Sequence, residues 1–142
     1  MSDGAREPMS LVETAVRTAR EGAARDERFI AIGWATVDVD RAARGFRVAI
    51  REAEPDLLLG AHCWIAGGAS YPLVILEPST EGRLAATLAR HDEGPHVAWF
   101  EGGALVNDAS PLTPGPFGLE RLRPGPSHVP HRLVVARATI GR

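Results

Sequence analysis

Histidine and cysteine are the residue types in this 142-residue chain best suited to metal binding or covalent catalysis: there are five histidines and one cysteine. His128 and His131 have a spacing seen in metal sites, but Pro130 disfavours the helix that would align their rings. The other three histidines are scattered along the chain. The single Cys63 excludes an internal disulfide and a zinc site built on cysteines, and is interpreted as a buried apolar residue. We therefore predict no metal site.

Two pairs of charged residues are candidates for binding or catalysis. His96 and Glu77 each lie at the end of a predicted strand and are candidates for general acid–base catalysis, although solvated strand ends would look the same. Arg121 and Arg123 lie in a Pro/Gly-rich segment and could grip an anionic ligand under a lid. Ordinary solvated arginines are the alternative for that pair. Because the chain has no lysine, Schiff-base and pyridoxal-phosphate chemistry are excluded, and we predict no cofactor.

Composition indicates one globular domain spanning residues 1–142. Hydrophobic residues make up 44% and charged residues 24%, and 16 basic residues against 18 acidic ones give a net charge of −2. There is thus no basic excess for nucleic-acid binding. No apolar stretch approaches the roughly 20 residues of a membrane span, and the first residues lack the features of a signal peptide. A cytoplasmic protein is expected.

The hydrophobic pattern predicts an N-terminal helix followed by a βαβββ unit. Residues 1–9 are predicted to be a flexible tail, and the helix, about 11–25, lies within 10–26, with Ser10 and Glu13 as its capping box. Period-two and apolar runs within 29–78 indicate four strands and one short helix. Their predicted bounds are 29–37, 46–51, 60–66 and 72–77 for the strands and 39–44 for the helix, with a turn at Pro55–Asp56. Asp38 is predicted to cap the short helix and Gly45 to end it.

The second half of the sequence is less regular. A linker helix, 80–91, falls within 79–94, and residues 95–142 begin with a strand at 96–101. Residues 111–130 contain six prolines and three glycines, which predicts a long loop, either a lid or disordered, with at most one helical turn at 119–122. A further strand begins near Leu105, and a closing strand is predicted at 131–139.

These segments resemble the vicinal oxygen chelate superfamily, the group of glyoxalases, bleomycin-resistance proteins and methylmalonyl-CoA epimerases. The matching segments are Ala31-Ile32-Gly33-Trp34-Ala35-Thr36-Val37-Asp38-Val39-Asp40, Gly45-Phe46-Arg47-Val48, Leu73-Val74-Ile75-Leu76-Glu77-Pro78 and Asp92-Glu93-Gly94-Pro95-His96-Val97-Ala98-Trp99-Phe100. The resemblance implies an α+β fold with a curved mixed or antiparallel sheet. The short first helix and the irregular second half imply a truncated second module, whose exposed strand edges a homodimer would cover.

The same resemblance implies that the family's metal is absent. Its ligand positions fall on Ala31, Val74 and Val97, and the last strand, 133–136, supplies no carboxylate. Apolar side chains cannot coordinate a cation. His96 occupies a place beside a ligand position that does not itself bind metal.

What remains is an apolar cup, predicted to bind a small apolar or aromatic molecule. Its predicted lining is Ala31, Gly33, Val74, Leu76, Val97 and Trp99. The alternative is that these residues pack together or against a second subunit. We consider three functions: a metal-free small-molecule-binding protein for resistance, sequestration or ligand presentation; a metal-independent isomerase, cyclase or lyase with His96 or Glu77 as base; and a non-catalytic interaction subunit.

Overall fold

A computed structural model describes residues 8–68, 72–102, 112–123 and 131–135. The helices are α1 (Pro8–Glu21), α2 (Val39–Phe46) and α3 (Arg83–His91). The strands are β1 (Glu27–Ala35), β2 (Ala49–Asp56), β3 (Ala61–Gly67), β4 (Leu73–Pro78), β5 (Gly94–Gly102), β6 (Thr113–Gly115), β7 (Gly118–Leu122) and β8 (His131–Val135). This confirms the α+β class, the N-terminal helix and the βαβββ order of the first half.

All eight strands form one mixed sheet in the order β2-β3-β4-β1-β5-β8-β7-β6. The two halves mirror each other: β1 pairs parallel with β4, β5 pairs parallel with β8, and β1 pairs antiparallel with β5 in the middle. The sheet curves until its ends nearly meet, since the Leu57 N–H donates to the Pro114 carbonyl at 3.2 Å. The second half is shorter because its strands are shorter, although four strands are present in each half.

Successive side chains of a strand point to opposite faces, so the sheet has an outer and an inner face. On the outer face, α1 and α2 pack against a core that contains Ile32, Ile75 and Phe100. On the inner face, Leu84 and Leu88 of α3 pack against a second core that contains Leu76 and Trp99. The inner face is therefore a curved apolar surface with one helix packed against it.

The predicted start of the N-terminal helix is wrong. Helix α1 begins at Pro8, and Ser10 lies inside it, where its carbonyl accepts a hydrogen bond from the Thr14 hydroxyl at 3.2 Å. Ser10 and Glu13 therefore do not form a capping box. Proline is favoured in the first turn because its missing N–H has no partner there in any case. The helix ends at Glu21, short of the predicted position 25.

Helix α2 is closer to its prediction. Asp38 caps it by accepting the Arg41 N–H at 3.1 Å, as expected from the sequence. The helix runs two residues past the predicted end, since Arg47 (φ 60°), rather than Gly45, adopts the left-handed conformation that ends it. Strand β2 then starts and ends later than predicted. It includes Pro55 and Asp56, which were predicted to form a turn.

The Pro/Gly-rich segment 111–130 is not simply a loop, as was predicted. Strands β6 and β7 form a hairpin in it, with Pro116 and Phe117 in the turn, and the predicted helical turn at 119–122 is part of β7. Pro114 is tolerated because β6 is the last strand of the sheet, where one side of the backbone has no neighbouring strand. The strand predicted near Leu105 lies outside the described residues, as do residues 136–139 of the closing strand.

Candidate functional site

The six residues predicted to line the cup all lie buried on the inner face. At Gly33, an added Cβ would lie 2.7 Å from Leu76 Cδ1 and 2.9 Å from both Trp99 Cζ3 and Val97 Cβ. The space over Gly33 is therefore filled by its neighbours, in agreement with the alternative that these residues pack together. Any accessible opening of the inner face must lie elsewhere.

The three positions that the resemblance aligned with metal ligands carry no side chain that could bind a metal. Ala31, Val74 and Val97 are completely buried among other apolar side chains and present no donor atom. Within the described ranges, no three or more His, Cys, Asp or Glu side chains are grouped so that they could hold a metal ion. We therefore derive no step of any reaction through such a metal.

The structure gives Glu77 and His96 separate surroundings. Glu77 accepts the Val39 N–H at the start of α2, at 3.0 Å, and so belongs to the outer face. The His96 ring N–H donates to the Asp92 carbonyl at 2.7 Å, and burial lowers the pKa of His96, with the Asp92 bond opposing. Nothing in this geometry joins the two as an acid–base pair.

Arg121 and Arg123 do not form a lid over the inner face. Glu120 and Leu122 point inward, so the alternation of β7 puts Arg121 on the outer face, where it is 8% exposed. Arg123 follows the strand and forms an ion pair with the buried Glu27 at 2.5 Å. Its N–H also donates to the Arg132 carbonyl. The described contacts of Arg123 are thus structural.

Two carboxyl groups that we did not identify from the sequence lie on the inner face. Asp56, at the end of β2, and Glu120, in β7, are both completely buried. The Leu59 N–H donates to Asp56 Oδ1 at 2.9 Å, and the Trp99 indole N–H donates to Glu120 Oε1 at 3.0 Å. Asp56 is near enough to act on Glu120, whose raised pKa leaves it protonated at neutral pH. We call them the carboxyl pair.

Burial is the main reason that Glu120 carries this proton. Burial, together with the hydrogen bond and the charge of Asp56, raises the pKa of Glu120 to about 10, and the Trp99 bond opposes the rise only in part. Burial and the charge of Asp56 also raise the pKa of the nearby Cys63. The thiol is therefore not a nucleophile at neutral pH, which supports its interpretation as a buried apolar residue.

The packing around Glu120 requires a glycine. A Cβ on Gly115 would lie 2.4 Å from Glu120 Oε1 and 2.6 Å from its carboxyl carbon. Any other residue at position 115 would displace the carboxyl group from Trp99 or from Asp56. The hairpin that was predicted as a loop therefore places an acid inside the protein.

A groove of about 620 Å³ opens where the two ends of the sheet approach each other, and neither Asp56 nor Glu120 is among its lining residues. Its lining is Arg51, Glu52, Ala53, Glu54, Pro55, Ile65 and Pro116. Opposite residues of an antiparallel pair share a face. Since Arg51 pairs with Ile65 and Ala53 with Cys63, these four side chains lie on the inner side. Pro55 and Pro116 are chain neighbours of Asp56 and Gly115, so the groove reaches the backbone that holds the carboxyl pair.

Phe117 follows the groove residue Pro116 in the chain and contacts Trp99 edge to face, with ring centroids 5.3 Å apart. A buried tryptophan usually finds an acceptor for its N–H, and this is the sequence signal that could have indicated a polar partner for Trp99. The identity of that partner could not have been inferred, because Glu120 lies 21 residues away in a segment predicted to be irregular.

No protein-family model matches the chain, and no curated protein matches it significantly. Among solved structures it is similar to methylmalonyl-CoA epimerase from Mycobacterium tuberculosis, at a TM-score of 0.62 and 14% identity, covering 83% of this chain and 94% of that one. It is also similar to a hypothetical protein from Bacillus halodurans C-125, at a TM-score of 0.58 and 14% identity, covering 76% and 92%. The chain therefore has the vicinal oxygen chelate fold. Of the described helices, none is both long and apolar enough to cross a membrane.

Proposed function

We propose that this protein binds a small molecule without a metal, in the groove between β2 and the β6–β7 hairpin, and that it sequesters or presents that molecule. The observation that carries the proposal is the groove itself, whose volume of about 620 Å³ suits a drug-sized ligand. Ala53 and Ile65 provide an apolar wall on the inner side. The apolar residues at the family's metal positions support binding without a metal.

Native mass spectrometry of the protein as purified, without added metal or chelator, tests this proposal. We expect an organic adduct of a few hundred daltons and no stoichiometric metal. The matched variants are Ala53→Trp, which fills the groove, and Ala86→Trp on the exposed surface of α3. Loss of the adduct in the first variant alone is expected. A stoichiometric metal, or an adduct that both variants retain, would contradict the proposal.

A metal-independent isomerase, cyclase or lyase is the second candidate function, and the carboxyl pair favours it. A buried carboxyl group that holds its proton, with a second carboxyl group near it, would supply an acid and a base at one place. Glu120→Gln separates the two functions: a binding protein keeps its adduct unchanged in chemical form, whereas an enzyme accumulates substrate in place of product. The mass of the retained molecule in the two proteins distinguishes these outcomes. The interaction-subunit alternative predicts that neither protein retains a small molecule.

We also propose a cytoplasmic homodimer. Leu57 and Leu119 are 61% and 42% exposed, and both are neighbours of Pro114 at the end of the sheet. Apolar side chains beside a strand edge favour association with a second copy. Sedimentation velocity of the full chain, compared with Leu119→Glu, tests the dimer, and a monomeric wild-type protein would contradict it.

A further inference from the structure

Of the described residues that line the groove, Arg51 is the charged one whose side chain lies on the inner face. It is directly opposite Ile65, which packs against the inner core. Successive side chains of a strand point to opposite faces, so Glu52 and Glu54, which also line the groove, point away from the wall that Arg51 shares with Ala53. The inner wall of the groove therefore carries a positive charge.

The guanidinium of Arg51 is exposed and has no hydrogen bond or ion pair with any part of the chain that the structure describes. The ion pairs found there belong to other arginines, among them Arg28, Arg41 and Arg123. Asp56, the buried carboxyl group on the same strand, lies five residues from Arg51, about 15 Å along a strand. At that distance its charge is largely screened at an exposed group. Arg51 is thus available to a group from outside.

The rest of the inner wall is apolar. Ala53 and Ile65 pack against the inner core, and Pro116, in the turn of the β6–β7 hairpin, also lines the groove. From Arg51 to Pro55 the groove follows β2 for four residues, about 13 Å. This length accommodates a charged group and a body of one or two rings. The groove therefore presents one positive group at the side of an apolar surface.

We infer that the groove binds a small organic anion, a carboxylate with an apolar or aromatic body, and that Arg51 holds the carboxylate. This inference rests on the proposed small-molecule binding and names the ligand class. A guanidinium donates two parallel N–H groups to a carboxylate and is more weakly hydrated than an ammonium group. The apolar body lies against Ala53, Ile65 and Pro116. The lining residues already form the groove, so binding requires no movement of the hairpin.

The experiment uses three probes with the same two-ring body: naphthoate, which is anionic, naphthamide, which is neutral, and naphthylmethylamine, which is cationic. Acetate is the fourth probe and supplies a carboxylate without the body. Isothermal titration calorimetry near neutral pH gives each affinity. We expect naphthoate to bind at least about tenfold more tightly than the neutral and cationic probes, and acetate not to bind at millimolar concentration. Added salt should weaken the binding of naphthoate but not that of naphthamide.

Variants connect this preference to Arg51. Arg51→Gln should weaken naphthoate binding by about tenfold and leave naphthamide binding unchanged. Arg51→Lys keeps the charge but loses the paired N–H groups, so it should recover part of the affinity. Arg44→Gln removes an exposed arginine of α2 and should change neither affinity. Circular dichroism establishes that each variant is folded. Full naphthoate affinity in a folded Arg51→Gln protein would overturn the inference.

The probes also separate failure of the inference from failure of the proposed function. If the three naphthyl probes bind equally and Ala53→Trp abolishes their binding, the groove is a binding site and the inference about charge is wrong. If acetate binds as tightly as naphthoate, Arg51 is a general anion site and the inference about the body is wrong. If no probe binds at millimolar concentration and the purified protein carries no adduct, both the inference and the proposed function are contradicted.

Discussion

Buried acidic side chains on the outer and inner faces of the sheet have different kinds of bonding partner. On the outer face, Glu27 is paired with Arg123. Glu77 is bonded to a backbone N–H at the start of α2. On the inner face, Asp56 and Glu120 have each other and two uncharged donors. The acids of the outer face thus have a charged or backbone partner that accounts for their burial, whereas the donors that reach the carboxyl pair are uncharged.

This difference also explains why Glu77 and Arg123, which were proposed from the sequence as site residues, have structural contacts instead. A glutamate and an arginine are residue types that catalytic and binding sites often use. In this structure, however, Glu77 is bonded to a helix end and Arg123 to a buried glutamate. Buried polar groups that have good partners stabilise a fold, and those that lack them are found preferentially at functional sites. The partners of a charged residue, more than its type, separate the two cases.

The largest effect expected from this comparison follows the loss of Arg123. Arg123→Ala leaves Glu27, whose side chain is completely buried, without its ion-pair partner. We expect the free energy of unfolding to fall by about 3 kcal/mol. Urea unfolding followed by tryptophan fluorescence measures it.

Arg28→Ala is the matched control. It removes an arginine whose side chain is 72% exposed, so the loss should stay under about 1 kcal/mol. Equal losses of unfolding free energy in the two variants would mean that the burial of Glu27 does not increase the contribution of Arg123 to stability.

The sequence predicted most strands of the first half and the residues on the inner face of the sheet. Short apolar runs predicted β1, β3, β4 and β5 because each strand buries at least one face. The alternation of side chains along a strand could have excluded Glu77 from the cup: with Val74 and Leu76 pointing inward, position 77 points outward. The predicted lining residues were placed on the correct face, although their packing over Gly33 depends on side-chain volumes that no pattern supplies.

The carboxyl pair could not be predicted in the same way. Glu120 stands in a proline-rich segment whose strand character depends on a position at the end of the sheet, where Pro114 costs little. Asp56 ends a strand and has the pattern of a turn residue. They meet because the sheet curves enough to bring its two ends together, and that curvature is a property of all eight strands.

The pH dependence of stability is the second way to separate the two faces. The pKa of Glu120 is raised from 4.5 to about 10, so between these values the folded chain keeps a proton that the unfolded chain releases. The free energy of unfolding should therefore fall as pH rises, by at most about 1.4 kcal/mol per pH unit. Histidines 96 and 131, whose pKa values are lowered by burial, act with the opposite sign below about pH 6.5.

Urea unfolding between about pH 7 and about pH 8 therefore reports mainly on Glu120, because the Cys63 thiol, whose pKa burial also raises, has an ordinary pKa of 9.0. The wild-type protein should lose stability across this range, and Glu120→Gln should show a nearly flat profile. Glu13→Gln, on α1, should keep the wild-type slope. A flat wild-type profile would mean that Glu120 is ionised in the folded protein and that its pKa is not raised.

The smallest effect is expected at Glu77, which the structure places on the outer face. Glu77→Ala removes the acceptor of the Val39 N–H at the start of α2, where a carboxylate also interacts favourably with the helix dipole. The expected loss is about 1 kcal/mol in urea unfolding, with ligand binding unchanged. Glu81→Ala, at an exposed position before α3, should leave both unchanged. If Glu77→Ala instead lost ligand binding at unchanged stability, Glu77 would belong to the binding site. A hydrogen bond to a helix end would then not be enough to classify an outer-face carboxylate as structural.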